Sequence, residues 1–356
     1  MASTGRDGSA VSFATRMIIV DKIAKILRML DSNLGAKDAQ KEAMLLETAS
    51  QKCSSSSEEY QRNVKAKMES LLQQVGDGNA VRESTPDSHA NPNSPKKSIG
   101  PYSEAIHHES GMFSTVYRAQ SSDGHTVALK VTKPSQMIAP HHSRKEARIL
   151  RKAASSRVVR LLSEFSLPGG EFVLAMPFLP MDLATILQSG KLHEGAIDQA
   201  VHLSILHDFF SGIAHLHSLD IIHRDVKPSN VLLRSLNEPA YLADFGIAWM
   251  PGDPDSEPQD RMITDVGTTA YRPPELLFGH TAYGCALDLW PAGCVVVEVL
   301  RPKYQTLFDS GPLGSDLALI QSIFKTLGTP NDETWPVSFP LRGRSTRILM
   351  SDVTGG

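Results

Sequence analysis

Three oxygen-donor side chains fall close together in the second half of the chain. Asp225 and Asn230 lie in the run His223-Arg224-Asp225-Val226-Lys227-Pro228-Ser229-Asn230, and Asp244 opens Asp244-Phe245-Gly246. Transfer of a phosphoryl group needs little covalent chemistry from a protein. It needs a carboxylate at the attacking hydroxyl and oxygen ligands for Mg²⁺ beside the phosphates, and these three residues supply that set. A lone Asp or Asn in a loop is most often a turn former. That plainer reading holds for any one of the three and fails for the combination, in which Asp244 follows Asp225 by nineteen residues.

Something must position these groups, and composition bounds what it is. The chain has 356 residues, 41% hydrophobic and 21% charged, an ordinary globular balance with room for two or three packed units. The 36 Lys and Arg against 39 Asp and Glu, a net of −3, provide no global field toward nucleic acid or an anionic membrane, so partners must be recognised locally. The longest apolar runs, Met17 to Val20 and Cys294 to Val297, end at Asp21 and Glu298 and are too short to span a bilayer. Met1 to Thr15 has no signal-peptide pattern. The three cysteines, Cys53, Cys285 and Cys294, are too few and too odd in number for a disulfide framework, which points to the nucleus and cytoplasm.

Residues 1–75 read as a three-helix bundle. Its apolar stripes are Ile19, Ile23, Ile26 and Leu30, then Ala39, Ala43, Leu46 and Ala49, then Tyr60, Val64, Met68, Leu71 and Val75, each at helical spacing. Ser56 with Glu59 reads as a capping box for the third helix. Residues 76–98 contain three Pro and almost no large apolar residue, so they read as a disordered linker. From residue 99 the period changes. Phe113 to Ala119 and Thr126 to Val131 alternate about Asp123-Gly124, a hairpin signal. A helix is expected over Ser143 to Ala154, strands around Val158 to Leu162 and Phe172 to Met176, and helices from Asp182 onward, notably Ile197 to His217.

The spacing H-R-D-x-x-x-x-N with a following D-F-G resembles the protein-kinase catalytic and magnesium loops. Several other runs fit the same family. Val127-Ala128-Leu129-Lys130 is similar to its third-strand V-A-I-K element. Gly267 to Glu275 is similar to the end of its activation segment, and Asp288-Leu-Trp-Pro-Ala-Gly293 to the helix that anchors its catalytic loop. Phe324 to Pro330 with Trp335-Pro336 resembles the insert of the cyclin-dependent group. The likeness covers about residues 99–340. It implies an α+β, two-lobed kinase fold with a small β-rich lobe at 99–179 and a larger helical lobe at 180–356. It also implies a Ser/Thr kinase that uses ATP and Mg²⁺ on protein substrates, cyclin-dependent kinases among them.

The resemblance assigns roles residue by residue. Asp225 acts on the substrate hydroxyl, Lys227 at the γ-phosphate, and Lys130, clamped by Glu146, at the α- and β-phosphates. Asn230 and Asp244 hold the metal. Gly111, Val116, Ala128, Met176, Leu179, Asp182 and Leu232 line the nucleotide site, and Arg224 with Thr264 is regulatory. Without that context Lys130 would read as an edge charge and Glu146 as a solvated helix carboxylate.

Four features depart from the pattern. The glycine-rich stretch keeps only Gly111 of its three glycines and carries Glu109, so it should grip phosphates less tightly. That degeneracy, with the TTAYRPPELLFG run, resembles fungal monomeric CDK-activating kinases. The helix bearing Glu146 lacks a cyclin-binding sequence, so no cyclin is expected to be required. Residues 251–260, PGDPDSEPQD, form an acidic insertion. In it Asp253, Asp255 or Glu257, or Asp265 beyond it, supplies Arg224 with a permanent negative charge, or else the insertion is a solvated loop. The text after Trp335 lacks the late helices of the resembled lobe, so Glu275 is expected either exposed or unpaired and the lobe C-terminally incomplete. The first 75 residues, through KIAKILRML and SSSSEEYQRNVKAKMESL, resemble the KIX-type domain of fungal Mediator tail coactivators, which grips activation-domain helices. The competing function is therefore a catalytically impaired kinase-like scaffold with a coactivator-binding module.

Overall fold

A computed structural model describes residues 13–30, 34, 36–54, 57–80, 97–111, 113–189, 199–301, 304–311 and 314–330. The chain divides into two compact units, residues 1–93 and 94–356. In the first, α1 (Phe13–Leu30), α2 (Ala36–Lys52) and α3 (Ser57–Ala80) pack on one another. On α3 the expected stripe is the buried one, through Tyr60, Val64, Met68 and Leu71. On α1 the buried face is rotated to Val20, Ile23, Ala24, Ile26 and Leu27, leaving Leu30 exposed. On α2 Ala39 and Ala43 are buried while Ala49 is exposed. Glu47 is buried there because Arg16 Nε donates to it at 2.7 Å and Tyr60 Oη at 2.6 Å. A paired and hydrogen-bonded carboxylate can occupy a core position that hydropathy spacing assigns to apolar residues. The third helix continues to Ala80, five residues into the segment read as linker, since helical hydrogen bonding propagates beyond an apolar stripe. Ser56 and Val75 lie outside the residues whose side chains are described.

The second unit begins with β1 (Lys97–Ile99), β2 (Tyr102–Ser110), β3 (Ser114–Gln120), β4 (Thr126–Thr132), α4 (Ser143–Lys152), β5 (Ser163–Ser166) and β6 (Phe172–Pro177). The strands form one antiparallel sheet in the order β1-β2-β3-β4-β6-β5. Along β4 the pleat sends Val127 and Leu129 into a core with Ile99, Tyr102, Ala119, Val173 and Ala175, so Ala128 and Lys130 project from the opposite face. The strand expected at Val158 to Leu162 is a connection that makes a single bridge, Val158 to Leu242, and the true strand starts at Ser163.

There follow β7 (Met181–Asp182), α5 (Leu183–Gln188), α6 (Gln199–His217), β8 (Val231–Leu233), β9 (Ala240–Leu242), α7 (Pro274–Leu277), α8 (Leu289–Leu300) and α9 (Asp316–Leu327). The architecture is α+β, a strand-rich lobe followed by a helix-rich one. One apolar cluster runs through both, from Ile149 and Leu150 of α4 to Phe209 and Ile213 of α6, Phe245, and Val295 and Val299 of α8. Pro291 is tolerated because it falls in the first turn of α8, where its missing N–H has no helical partner to lose. Among the described residues no helix is long and apolar enough to cross a membrane.

Two carboxyls in this lobe are unusually placed. Glu275 is half-buried, and burial pushes its carboxyl up against the opposing pull of a backbone hydrogen bond and of His280. Glu298 is fully buried on α8. Its Oε2 accepts from Tyr271 Oη at 3.0 Å. Burial pushes it up to about 7. A carboxyl raised above its unfolded value stabilises the fold fully only below that unfolded value, and stability falls as pH rises through about 7. Glu298→Gln is expected to remove that slope and to raise stability above pH 7 by about 1–3 kcal/mol, read by urea unfolding across pH.

Candidate active site

The sheet and α4 bring the first half of the site together. Lys130 Nζ donates to Glu146 Oε1 at 2.6 Å and to Asp244 Oδ1 at 2.7 Å. Glu146 comes from the first turn of α4, whose N-cap His142 accepts from Lys145 N at 3.1 Å through Nδ1. His142 N in turn donates to Gly246 O at 3.2 Å, tying the start of α4 to the loop that carries Asp244. Gly246 lies close to the pair, since a Cβ there would lie 3.3 Å from Asp244 Oδ1 and 3.5 Å from Lys130 Nζ.

The three charges are coupled. Burial pulls the Lys130 ammonium down, but Asp244 and Glu146 outweigh it and hold it above the ordinary lysine value. Lys130 holds the Asp244 carboxyl well below the usual range. Burial pushes Glu146 up more than Lys130 pulls it down, and the like charge of Asp244 adds to the push. Lys130 and Asp244 are thus a charged pair at neutral pH, with Glu146 buried against them.

The second half is built on the loop before β8. Asp288, buried at the start of α8, accepts from His223 N and Arg224 N at 2.9 Å each, and its Oδ2 lies 2.9 Å from His217 Nε2. Asp225 N donates to His223 Nδ1 at 3.2 Å, so the proton of that ring sits on Nε2, which donates to Ala243 O at 2.9 Å. Asp225 is thereby fixed in orientation. Its Oδ2 is 2.9 Å from Lys227 Nζ and accepts from Asn230 Nδ2 at 3.2 Å. Its Oδ1 accepts from Thr268 N at 3.0 Å and Thr268 Oγ1 at 2.9 Å, and Lys227 Nζ also donates to Thr268 Oγ1 at 2.8 Å.

Thr268 is a site residue that motif spacing did not single out. Its signal was the adjacent Gly267, which has φ 76° and whose Cβ would lie 2.8 Å from Arg224 O. Only glycine lets this segment approach the loop bearing Asp225 so closely.

The remaining expected residues are distributed as follows. Ala128 pairs with Met176 across β4 and β6, and Val116 pairs with Lys130 across β3 and β4. Leu232 lies on β8, and Leu179 and Met176 pack on the central cluster. Gly111 sits at the β2–β3 turn, its N–H donating to Ser114 O at 2.8 Å. Asp182 also caps α5. Both its oxygens accept from Thr185, the N–H at 2.9 Å and Oγ1 at 2.6 Å. Arg224 Nη1 donates to Glu257, one of the four acids offered as its partner, at 3.0 Å.

Among the described residues no cluster of three or more His, Cys, Asp and Glu could hold a metal alone. A Mg²⁺ ion fits the donors present, since Asp244 is half-exposed and the Asn230 amide nitrogen is spent on Asp225, leaving its oxygen as the ligand atom. Such an ion takes one or two protein oxygens and completes its shell with phosphate and water.

Comparison with known proteins agrees with this geometry. The protein kinase domain family matches residues 109–342. The serine/threonine-protein kinase csk1 of Schizosaccharomyces pombe is 35% identical over 201 residues, covering 55% of this chain and 62% of that protein. Cyclin-dependent kinase 7 of Xenopus laevis is 34% identical over 234 residues, 64% of this chain and 62% of that protein. Cyclin-dependent kinase 14 of Xenopus tropicalis is 31% identical over 233 residues, 64% and 51% respectively. The chain therefore spans less than two thirds of the length of these relatives. α1 to α3 lie outside the matched residues, whereas both halves of the cleft lie within them, and on that match the chain belongs to the protein kinase family.

Proposed function

We propose that the chain is an ATP- and Mg²⁺-dependent serine/threonine kinase of the cyclin-dependent kinase type, acting on other cyclin-dependent kinases in the nucleus and cytoplasm. The observation that carries the reading is the joint arrangement of Lys130 on Glu146 and Asp244 with Asp225 on Lys227, Asn230 and Thr268. Asp225 orients the attacking hydroxyl and takes its proton. Lys227 steadies the γ-phosphate and Lys130 the α- and β-phosphates, while Asn230 and Asp244 hold the Mg²⁺ that offsets charge on the transferring group. The position of Lys227 two residues after Asp225 favours a Ser or Thr acceptor, and the lack of a cyclin-binding sequence on α4 favours independence from cyclin.

Lys130→Met is expected to weaken ATP binding about 10-fold to 100-fold, the worth of a charge-assisted contact, as read by titration with a fluorescent nucleotide. The substrate class is tested with the full chain, γ-labelled ATP, Mg²⁺ and an unphosphorylated cyclin-dependent kinase. Label on Ser or Thr without added cyclin is expected, and label on Tyr or an absolute need for cyclin would contradict the proposal.

A second reading, a kinase-like scaffold that recruits activation-domain helices through a KIX-like module, draws on α2, where Met44 and Leu45 are exposed. It requires transfer no greater than that of Asp225→Asn.

A further inference from the structure

Two buried or half-buried arginines in the kinase unit are neutralised by one short stretch of chain. Arg224, immediately before Asp225, has a fully buried side chain and a left-handed backbone, φ 68°. Its Nη1 donates to Glu257 Oε1 at 3.0 Å and Oε2 at 3.2 Å, and its guanidinium lies 5.3 Å over the ring of Tyr283. Glu257 is itself held in place, because its carbonyl accepts from Trp249 Nε1 at 2.8 Å. Arg148, on the helix that presents Glu146, makes a fork with Asp253, Nε to Oδ2 at 2.7 Å and Nη2 to Oδ1 at 2.9 Å. Its Nη2 also donates to Asp255 Oδ2 at 2.5 Å. That same Asp255 oxygen lies 3.5 Å from Nε2 of His142, the N-cap of α4. Asp253 is buried and Asp255 N donates back to it at 3.0 Å, so the turn is ordered by its own carboxylates.

We infer that the acidic segment 251–260 is a built-in aligning device, in which Glu257 positions the loop bearing Asp225, and Asp253 with Asp255 positions the helix bearing Glu146, with no modification required. This rests on the kinase reading above. A guanidinium taken out of water demands an anion, and without one its loop moves toward solvent or stays misaligned. A phosphate on a loop hydroxyl supplies such an anion only after it is added. Here carboxylates encoded in the chain occupy that role, on the two elements whose alignment brings Asp225 and Glu146 to one cleft. The other nearby acid is otherwise engaged, since Asp265 pairs with Arg272 at 2.6 Å. Arg224 Nε and Nη2 have no acceptor among the described residues, so a phosphate could still add to the device, and the test is built to detect that.

The full chain is assayed before and after treatment with a broad phosphatase, and as the Glu257→Gln, Glu257→Asp and Thr264→Ala variants. Amide hydrogen exchange of residues 223–230 and 143–152 is followed in each. The expected results are unchanged activity after phosphatase and in Thr264→Ala. Glu257→Gln should show a kcat about 10-fold to 100-fold lower with KM for ATP nearly constant and faster exchange over residues 223–230. Glu257→Asp should recover part of both. Loss of activity on phosphatase treatment or in Thr264→Ala would overturn the inference, as would a Glu257→Gln chain with wild-type kcat and exchange. If Glu257→Gln does not fold, the phosphatase and Thr264→Ala arms decide. A wild-type chain with no transfer at all would instead contradict the kinase reading, and the exchange data would still report whether Glu257 holds the loop.

Discussion

Asp225→Asn is expected to lower phosphoryl transfer by about 10²-fold to 10⁴-fold, the usual contribution of a positioned general base. The folded state should persist, because an amide keeps the size and one acceptor of the carboxylate. Oδ1 now accepts two bonds from Thr268, and Oδ2 faces Lys227 and Asn230. The amide oxygen can retain the Thr268 pair while the NH₂ group turns toward Lys227, where it can neither take a proton nor offset the ammonium. Binding of ATP depends on Lys130 and the far side of the cleft, so KM for ATP should change little. Initial rates over a range of ATP concentrations separate the two quantities, and a large rise in KM with unchanged kcat would assign Asp225 to binding instead.

The second large effect is expected at Asp288, whose side chain is buried. It accepts from two consecutive backbone amides, those of His223 and Arg224. Asp288→Ala would leave both buried N–H groups without the acceptor that satisfies them. A stability loss of about 3–5 kcal/mol follows from two such orphaned donors and a lost charge-assisted acceptor. Asp288→Asn should cost less, since one oxygen still accepts, but in either orientation its NH₂ faces a backbone N–H, that of Arg224 or that of His223. Both variants should lose activity in proportion to the freedom they give the loop carrying Asp225. Urea unfolding measures the first effect. Amide exchange at residues 223–225 measures the second, and unchanged protection there would contradict the anchoring role.

Much of the catalytic cleft was legible in the sequence because its parts come as short local runs. Asp225, Lys227 and Asn230 fall within one loop, Asp244 is nineteen residues on, and Lys130 sits on a strand whose alternation places it opposite the core. What could not be read was contact between distant segments. Thr268 reaches Asp225 because Gly267 permits a backbone approach, and Glu257 was one of four acids offered to Arg224, with no local feature to rank them. The pairing of Arg148 with Asp253 spans more than a hundred residues and has no periodic signature. Asp182 stands one residue before a helix, the place of an N-cap, and that local role was readable beside the nucleotide role the resemblance implies.

The fold shows the same division. The hairpin of β3 and β4 and the helices α4 and α6 carry strong period signals. β2 does not: Tyr102–Ser110 includes two histidines and two glutamates and buries only Tyr102 and Ala105 fully, so its pairing with β3 rather than its own pattern makes it a strand. On α1 the stripe was placed one residue out of phase because Val20 and Leu27 continue a face equally apolar to that of Ile19 and Leu30. Glu47 on α2 is buried only because Arg16 and Tyr60, from the other two helices, meet it there.

The most direct test of the central claim is transfer of the γ-phosphoryl group from labelled ATP to a protein acceptor by the purified full chain, run beside Asp225→Asn and with Mg²⁺ removed by chelation. The account predicts label on Ser or Thr from the wild-type chain, none above background without Mg²⁺, and a loss of about 10²-fold or more in the variant. Transfer by the wild-type chain no greater than by Asp225→Asn, or transfer undiminished by chelation, would contradict it.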